Sequence, residues 1–298
     1  MATPLAHLAA LQADPPDPAR PVLLAGPTAS GKSDLALWLA QAQGRVIINA
    51  DALQVHAMWR VLTARPDDSD IARVPHHLYG MVARGQDWSV GHWLRAVTPL
   101  IARHPNAVIV GGTGLYFRAL TEGLAEIPPI PHAIRAEADA LLADQGLENM
   151  RDRLDPATHA KIDLQNPARV QRAWEVLRAT GRGLADWQVD TPPPVLPRDQ
   201  ATALVMRPQV GWLNARIAAR FQAMLDKGAL EEVRAMLPVW DARAPWARAI
   251  GAPELVAYLQ GNISWDDAVS SAIRATQNYG KRQRTWFRNR LSDWDALP

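Results

Sequence analysis

The chain has 298 residues, enough for one large domain or two ordinary ones, and 48% of them are hydrophobic, as in packed globular proteins. Its longest apolar runs, such as Val22–Ala25, are far too short to cross a bilayer, so we expect no membrane association. The absence of cysteine excludes disulfides, cysteine nucleophiles and thiolate metal sites, and it fits the reducing cytoplasm where we expect the protein. Although the net charge is only +2, Ala268–Ser292 contains six basic and no acidic residues, which favours binding of a polyanion there.

Composition divides the chain into segments of different character. The first 20 residues have a short apolar stretch with no basic residue before it and no cleavage pattern, which predicts a flexible tail and not a signal peptide. Two proline clusters, IPPIPH and TPPPVLPR, are typical of linkers, and the sequence between them is helical, most clearly over Pro167–Thr180. We therefore expect a helical insertion domain over 127–198, within a core formed by 21–126 and 199–298.

Outside this insert, short apolar runs alternate with longer helical patterns. The runs that predict strands are Val22–Ala25, Val46–Asn49, Val108–Val110 and Ala203–Met206. Helical stretches such as Ser33–Gln43 and Gly114–Glu122 separate them. Because buried parallel strands are unbroken apolar runs, the pattern predicts an α/β core whose parallel sheet is covered by helices.

The segment directly after the first predicted strand, GPTASGKS, matches G-x-x-x-x-G-K-[S/T] at every fixed position. It consists of Gly26, Pro27, Thr28, Ala29, Ser30, Gly31, Lys32 and Ser33. In such a loop, backbone amides and a helix N-terminus surround a diphosphate, and glycine permits the close approach. Lys32 would bring a positive charge to the outer phosphate, and the Ser33 hydroxyl can coordinate Mg²⁺. The motif predicts a P-loop NTPase-like core that binds a diphosphate with Mg²⁺.

Two features elsewhere bear on what the loop binds. The strand ending at Val110 continues into GGTG, without the carboxylate that ATPases and GTPases usually place there for magnesium. Asp51 follows the second predicted strand, so it should face the ligand crevice at the carboxyl edge of the sheet. There a carboxylate can be a general base, a magnesium ligand or a helix N-cap, and position alone slightly favours the N-cap.

Taken together, the motifs resemble one enzyme family. GPTASGKS, DALQV (Asp51–Val55), TARP, VPHHL, VGGTGLYF (Val110–Phe117) and KRQRTWFR (Lys281–Arg288) occur in the order and spacing of the tRNA dimethylallyltransferases, from Pro21 to about Trp294. The resemblance implies transfer of a dimethylallyl group from dimethylallyl diphosphate to N6 of the adenosine next to the anticodon, position 37, in tRNAs that read codons beginning with U. The expected partner is therefore the anticodon stem-loop of tRNA, bound by a monomer.

The same resemblance implies roles for individual residues. Asp51 would be the general base for N6, Arg220 a second clamp on the pyrophosphate leaving group, and Thr113 a tRNA contact at the reaction channel. Arg135, in the predicted insert, would also contact tRNA. The other tRNA contacts that the resemblance implies, beside Asp51 itself, are Ala52, Leu53, Gln54, Ala168, Arg169, Val170, Gln171, Arg172, Arg248, Gly251, Lys281, Arg282 and Arg284.

The C-terminal basic segment can also be analysed as a helix. In a helix beginning near Asp266, Lys281, Arg284 and Arg288 lie on one face, which can follow a phosphate backbone. Trp286 and Phe287 lie on other faces, and we expect them to anchor the helix on the core.

Two other functions fit parts of the sequence. The phosphate loop by itself also fits a small-molecule kinase, which would use ATP and need no RNA. The basic segment also fits a non-catalytic RNA-binding P-loop module, whose function would survive the loss of Asp51.

Overall fold

The computed structural model describes the backbone of residues 4–297 and the side chains of residues 7–297. The chain divides into a core unit, which ends at Thr121 and resumes at Leu196, and an insert unit over Glu122–Val195. The insert begins and ends a few residues earlier than the expected 127–198. The reason is Leu196, whose amide donates to the carbonyl of Leu120 and whose side chain is buried in the core unit.

The sheet of the core unit has six parallel strands in the order β3-β2-β4-β1-β5-β6. The strands are β1 (Val22–Ala25), β2 (Ile47–Asn49), β3 (His76–His77), β4 (Val108–Gly111), β5 (Thr202–Met206) and β6 (Asp295–Leu297). All residues of β1 and β4 are buried, as their unbroken apolar runs predicted. The sequence did not predict β3 and β6, because two or three residues without an apolar run give no strand pattern.

α-Helices, joined by loops, turns and short 3-10 segments, make up much of the rest of the described chain. They are α1 (Pro4–Ala13), α2 (Lys32–Gln43), α3 (Asp68–Arg73), α4 (Val90–Arg103), α5 (Gly114–Glu122), α6 (His132–Asp152), α7 (Pro156–Lys161), α8 (Pro167–Thr180), α9 (Leu184–Val189), α10 (Val210–Asp226), α11 (Ala229–Met236), α12 (Ala252–Leu259) and α13 (Trp265–Arg290). The α/β core with a parallel sheet and an all-helical insert, predicted from the sequence, is confirmed. Within residues 4–297, no helix combines the length and the apolar character that crossing a membrane requires.

The expectation of a flexible tail over residues 1–20 was wrong for most of that segment. Residues 1–3 lie outside the described part of the chain, but α1 begins at Pro4. Leu11 is buried in the apolar cluster that includes Leu35 and Leu39 of α2. Leu8 and Leu11 therefore pack on the core unit. The prolines that follow them in the sequence had favoured a flexible segment instead.

Helix α13 is the longest element of the core unit. It begins at Trp265, where the Ser264 side chain accepts a hydrogen bond from the amide of Asp267 and caps the helix. Phe287 is buried in the cluster that packs on one face of the sheet, and Trp286 is partly buried against it. The prediction that these two aromatic residues anchor the helix is confirmed.

Candidate active site

The phosphate loop lies between β1 and α2, as the sequence predicted. Two of its residues have left-handed backbone conformations: Ala29 with φ 62° and Gly31 with φ 90°. Left-handed residues in such a loop turn successive amides toward one side, which creates a concave anion-binding surface. The side chain of Lys32 is 8% exposed, and its Nζ lies 3.4 Å from the carbonyl oxygen of Pro27.

Asp51 lies in the turn that follows β2. Its amide donates to Asn49 Oδ1 at 2.9 Å, and its own Oδ1 accepts the amide of Leu53 at 3.0 Å. Since the residues after Asp51 form turns and no helix, the helix N-cap alternative was wrong. Among residues 4–297, no hydrogen-bond donor contacts Oδ2, so this oxygen of a nearly buried carboxylate can accept a proton from a ligand.

Three charged side chains from separate segments meet around one cavity of about 70 Å³. Lys32 comes from α2, Asp51 from the turn after β2, and Arg220 from α10. Burial lowers the pKa of Lys32 to about 8, against the attraction of Asp51, and Arg220 lowers it further. Burial also lowers the pKa of Arg220, which Asp51 in turn raises. An anion bound between the two cations would relieve both penalties.

The lining of the cavity combines two kinds of surface. Charged and polar groups come from the phosphate loop, Asp51 and Arg220, whereas the apolar part is formed by Leu53, Leu62, Ile217, Phe221, Met224 and Ile250. Leu62, Phe221 and Met224 belong to a single apolar cluster. The cavity therefore suits a ligand with an anionic head and a short hydrocarbon chain.

Partly buried hydrogen bonds hold the apolar wall in place. The Gln54 side-chain amide donates to the carbonyl oxygens of Thr63 at 2.9 Å and Ala64 at 2.8 Å. From α11, Glu232 Oε2 accepts the amide of Leu62 at 2.9 Å. Gln54, which the resemblance implied as a tRNA contact, thus shapes the cavity in this structure.

The glycine-rich segment after β4 connects the site to its surroundings. The hydroxyl of Thr113 accepts the amide of Ala52 at 2.8 Å, so Thr113 fixes the turn that carries Asp51. A Cβ at Gly112 would overlap with the Gln283 side chain, and a Cβ at Gly114 would overlap with Trp286. These two glycines therefore make room for α13.

Sequence reasoning missed two residues of α13 at the site. Tyr279 lines the cavity, and burial raises the pKa of its hydroxyl. Gln283 is buried and hydrogen-bonded to the phosphate loop. The glycines of GGTG indicated that another segment of the chain packs closely against this loop, but the sequence does not identify that segment.

Ser33 is the residue that the phosphate-loop motif suggested as a metal ligand. Its side chain is exposed and lines the cavity next to Lys32. In residues 4–297, no three His, Cys, Asp or Glu side chains come together in a way that could hold a metal ion. A hydroxyl without a carboxylate cluster fits Mg²⁺ that takes most of its ligands from phosphate oxygens and water.

The other residues expected to contact tRNA differ in exposure. Those on the surface of their own unit are Arg135, Ala168, Arg169, Arg172, Arg248, Lys281 and Arg282, while Gln171 and Arg284 are half-buried. Gln171 donates to Asp139 Oδ1 at 2.7 Å within the insert. The ring of Tyr279 lies beneath the guanidinium of Arg282, 5.7 Å from its carbon.

Two of the expected tRNA contacts were wrong. Val170 is completely buried in the core of the insert with Ala173 and Trp174, because it lies on the apolar face of α8. Gly251 is buried too, with φ 96° at the start of α12, where a Cβ would lie 2.9 Å from the ring of Phe221. Val170 and Gly251 therefore contribute to the packing of their own units.

Comparison with known proteins identifies relatives over almost the whole chain. Residues 54–290 match the family described as IPP transferase. A tRNA dimethylallyltransferase of Dinoroseobacter shibae is 60% identical over 297 residues, 99% of this chain and 98% of the relative. One of Cereibacter sphaeroides is 62% identical over 278 residues, 93% of this chain and 88% of the relative.

Solved structures agree with these relatives. The crystal structure of a tRNA isopentenylpyrophosphate transferase from Bacillus halodurans has a TM-score of 0.64 at 28% identity, over 93% of this chain and 89% of that one. A eukaryotic dimethylallyltransferase acting on tRNA has a TM-score of 0.75 at 21% identity, over 90% of this chain and 69% of that one, which shows the same fold.

Proposed function

This chain belongs to the IPP transferase family, and on that premise we propose that it transfers a dimethylallyl group from dimethylallyl diphosphate to tRNA. The acceptor is N6 of the adenosine next to the anticodon, in tRNAs that read codons beginning with U. The observation that carries the proposal is the cavity, in which Lys32, Arg220 and Asp51 lie beside an apolar cluster. A prenyl diphosphate has the matching anionic and hydrocarbon parts.

In this proposal, the phosphate loop holds a leaving group. The bond between the allylic carbon and the diphosphate oxygen breaks, and negative charge grows on pyrophosphate. Inward-facing amides of the loop, Lys32 and Arg220 stabilise that charge most when it is fully formed, which is stabilisation of the transition state. Because burial disfavours the charged form of Lys32, a growing negative charge beside it favours the protonated side chain and raises its pKa again.

Asp51 acts on the other substrate. The N6 amine of adenine is a weak nucleophile because its lone pair is delocalised into the ring. As the bond between N6 and the allylic carbon forms, Asp51 Oδ2 accepts the N6 proton, which contributes about a hundredfold to ten-thousandfold in rate. Leu53 orients the carboxylate through its amide. Since Asp51 is nearly buried, the adenine must leave its stack to reach it.

Mg²⁺ would be bound by the Ser33 hydroxyl and by oxygens of the diphosphate. Once bound, it would supply additional positive charge next to the leaving group. The protein contributes few ligands to such an ion, as is usual where Mg²⁺ binds with substrate phosphates.

The anticodon stem-loop would contact exposed basic residues in both units. On α13 these include Lys281 and Arg282, and in the insert Arg135, Arg169 and Arg172. Phosphate contacts of this kind supply affinity and little sequence information. We propose that the protein works as a monomer in the cytoplasm.

The direct test is incubation of the protein with dimethylallyl diphosphate and unmodified tRNA, followed by mass analysis of the tRNA nucleosides. We expect one adenosine per tRNA to gain a C5H8 group, and we expect no product when either substrate is omitted. A small-molecule kinase would instead consume ATP without RNA. An RNA-binding module would bind the tRNA and leave its nucleosides unchanged.

A further inference from the structure

Gln283 connects the phosphate loop to the glycine-rich segment. Its side chain is 5% exposed on the buried face of α13. Its Oε1 accepts the amide of Thr28 at 2.8 Å, and its Nε2 donates to the carbonyl oxygen of Gly112 at 2.9 Å. One side-chain amide therefore joins the loops that follow two neighbouring strands, β1 and β4.

The part of the loop that Gln283 contacts is under conformational strain. Ala29, the next residue after Thr28, has φ 62°, a conformation that the Cβ of an L-residue disfavours. Two sets of contacts oppose relaxation of this residue. Gln283 holds the preceding amide, and Leu213 and Ile217 of α10 pack against the Ala29 side chain.

Glycines on both sides of this contact allow α13 and the phosphate loop to pack closely. A Cβ at Gly112 would overlap with Gln283 Nε2, so the glycine is needed for the amide to reach its partner. One turn earlier on α13, a Cβ at Gly280 would lie 3.9 Å from the side chain of Thr28. The helix thus lies directly against the loop at this point.

We propose that Gln283 is a positioning residue for diphosphate binding. It does not touch the reacting atoms. It holds Thr28, and through Thr28 it keeps Ala29 and Gly31 in the left-handed conformations that turn the amides of the loop inward. The inference rests on the proposed function only in assigning a diphosphate to the loop.

The test measures the binding of inorganic pyrophosphate by calorimetry, with Gln283→Met in the full chain. Methionine has a similar length but removes both hydrogen bonds, and we expect affinity for pyrophosphate to fall about tenfold, with tRNA affinity within twofold of wild type. The matched control is Gln222→Met, because the exposed Gln222 side chain of α10 donates to Asp226 on the same helix, and its affinities should not change. A folded Gln283→Met protein with wild-type affinity for pyrophosphate would overturn the inference.

A double-mutant cycle with Gly112→Ala separates positioning from general loss of stability. Gly112→Ala should displace the Gln283 side chain and weaken pyrophosphate binding in an otherwise wild-type protein. In a Gln283→Ala background the overlapping side chain is absent and a 3.1 Å approach to Asp51 Oδ2, which needs a shift of a few tenths of an ångström, remains, so adding Gly112→Ala should cost less than twofold. Fully multiplicative losses would show that the two residues act independently, against the proposal.

The outcomes distinguish this inference from the proposed function. Pyrophosphate binding requires no prenyl transfer, so the Gln283 comparison can be made even if tRNA is not modified. If wild-type protein modifies tRNA and Gln283→Met binds pyrophosphate normally, only the inference about Gln283 fails. If wild-type protein does not bind pyrophosphate, the inference about Gln283 also fails, because that inference assigns a diphosphate to the phosphate loop.

Discussion

The cavity of the core unit and the surface of the insert present positive charge in different ways. In the cavity, Lys32 and Arg220 come from two helices, approach Asp51, and have pKa values lowered by burial. In the insert, Arg135 and Arg169 are exposed. Charges away from water interact strongly over short distances, whereas exposed charges are screened by salt. Replacing one charged residue in the cavity should therefore change ligand binding or transfer strongly. Each exposed cation should contribute little to tRNA affinity alone, and several together should contribute measurably.

The largest effect should come from Asp51→Asn. Asparagine keeps an oxygen for the amide of Leu53 but cannot accept the N6 proton. We expect single-turnover transfer to fall about a hundredfold or more, with both substrates still bound. A normal rate in this variant would remove the base from the proposed mechanism.

Lys32→Ala should have the next largest effect. It removes a charge-assisted contact worth about 1.5–3 kcal/mol, so binding of the prenyl diphosphate should weaken at least tenfold, while tRNA binding stays near normal. Lys227→Ala, at the exposed end of α10, is the control and should leave both affinities unchanged. Equal affinity in Lys32→Ala and wild type would contradict the leaving-group role of the loop.

The basic residues on one face of α13, of which Lys281 and Arg288 are exposed and Arg284 is half-buried, should have a measurable effect when they are replaced together. Replacing Lys281, Arg284 and Arg288 of α13 with alanine should flatten the dependence of log affinity for tRNA on log salt by about 2, since each phosphate contact contributes roughly 0.7–0.9. Transfer to a saturating anticodon stem-loop should suffer less than affinity does. An unchanged slope would show that tRNA docks elsewhere, for example on the insert around Arg169 and Arg172.

A second triple variant, with the same net charge as the α13 variant, controls for long-range electrostatic attraction to tRNA. Alanine at Lys227, Arg234 and Arg243, all exposed, removes three positive charges away from α13. This variant should keep the wild-type salt slope. If both triple variants lose the same slope, total charge and not the face of α13 determines affinity.

The pH dependence of pyrophosphate affinity should reflect the titration of the buried Lys32 side chain. With the pKa of Lys32 lowered to about 8, raising the pH from 7 to 9 should weaken binding severalfold as the side chain loses its proton. Lys32→Arg should flatten this dependence, because arginine stays charged.

The free energy of unfolding should depend on pH in the opposite direction. Because burial lowers the pKa of Lys32 from 10.5 to about 8, the unfolded chain binds more protons than the folded one between these pH values. The contribution of Lys32 to the free energy of unfolding therefore rises between pH 8 and 10.5.

The smallest effect should come from a single arginine of the insert. Arg169→Ala should reduce the salt slope by about 0.7–0.9 and leave prenyl transfer at saturating tRNA unchanged. A large loss of turnover would mean that this exposed residue acts within the chemical step, and the contrast between the two regions would not hold.

The sequence predicted those parts of the site that depend on local patterns. GPTASGKS specifies the loop between β1 and α2, and an apolar run followed by Asp51 places that residue at the edge of the sheet. The role of Gln283 could not be predicted, because its partners Thr28 and Gly112 are 255 and 171 residues away in the chain. Val170 was misassigned because a whole segment was matched without considering which helix face is apolar.

The order of the strands has a consequence for synthesis on the ribosome. Strand β1 pairs with β4, which precedes the insert, and with β5, which follows it. A nascent chain that has reached Val195 therefore exposes one edge of β1, with its amides and carbonyls unpaired. It also lacks α13, so the Thr28 amide has no partner from Gln283. We expect the anion-binding conformation to form only after nearly the whole polypeptide has emerged, which keeps unfinished chains from binding diphosphates.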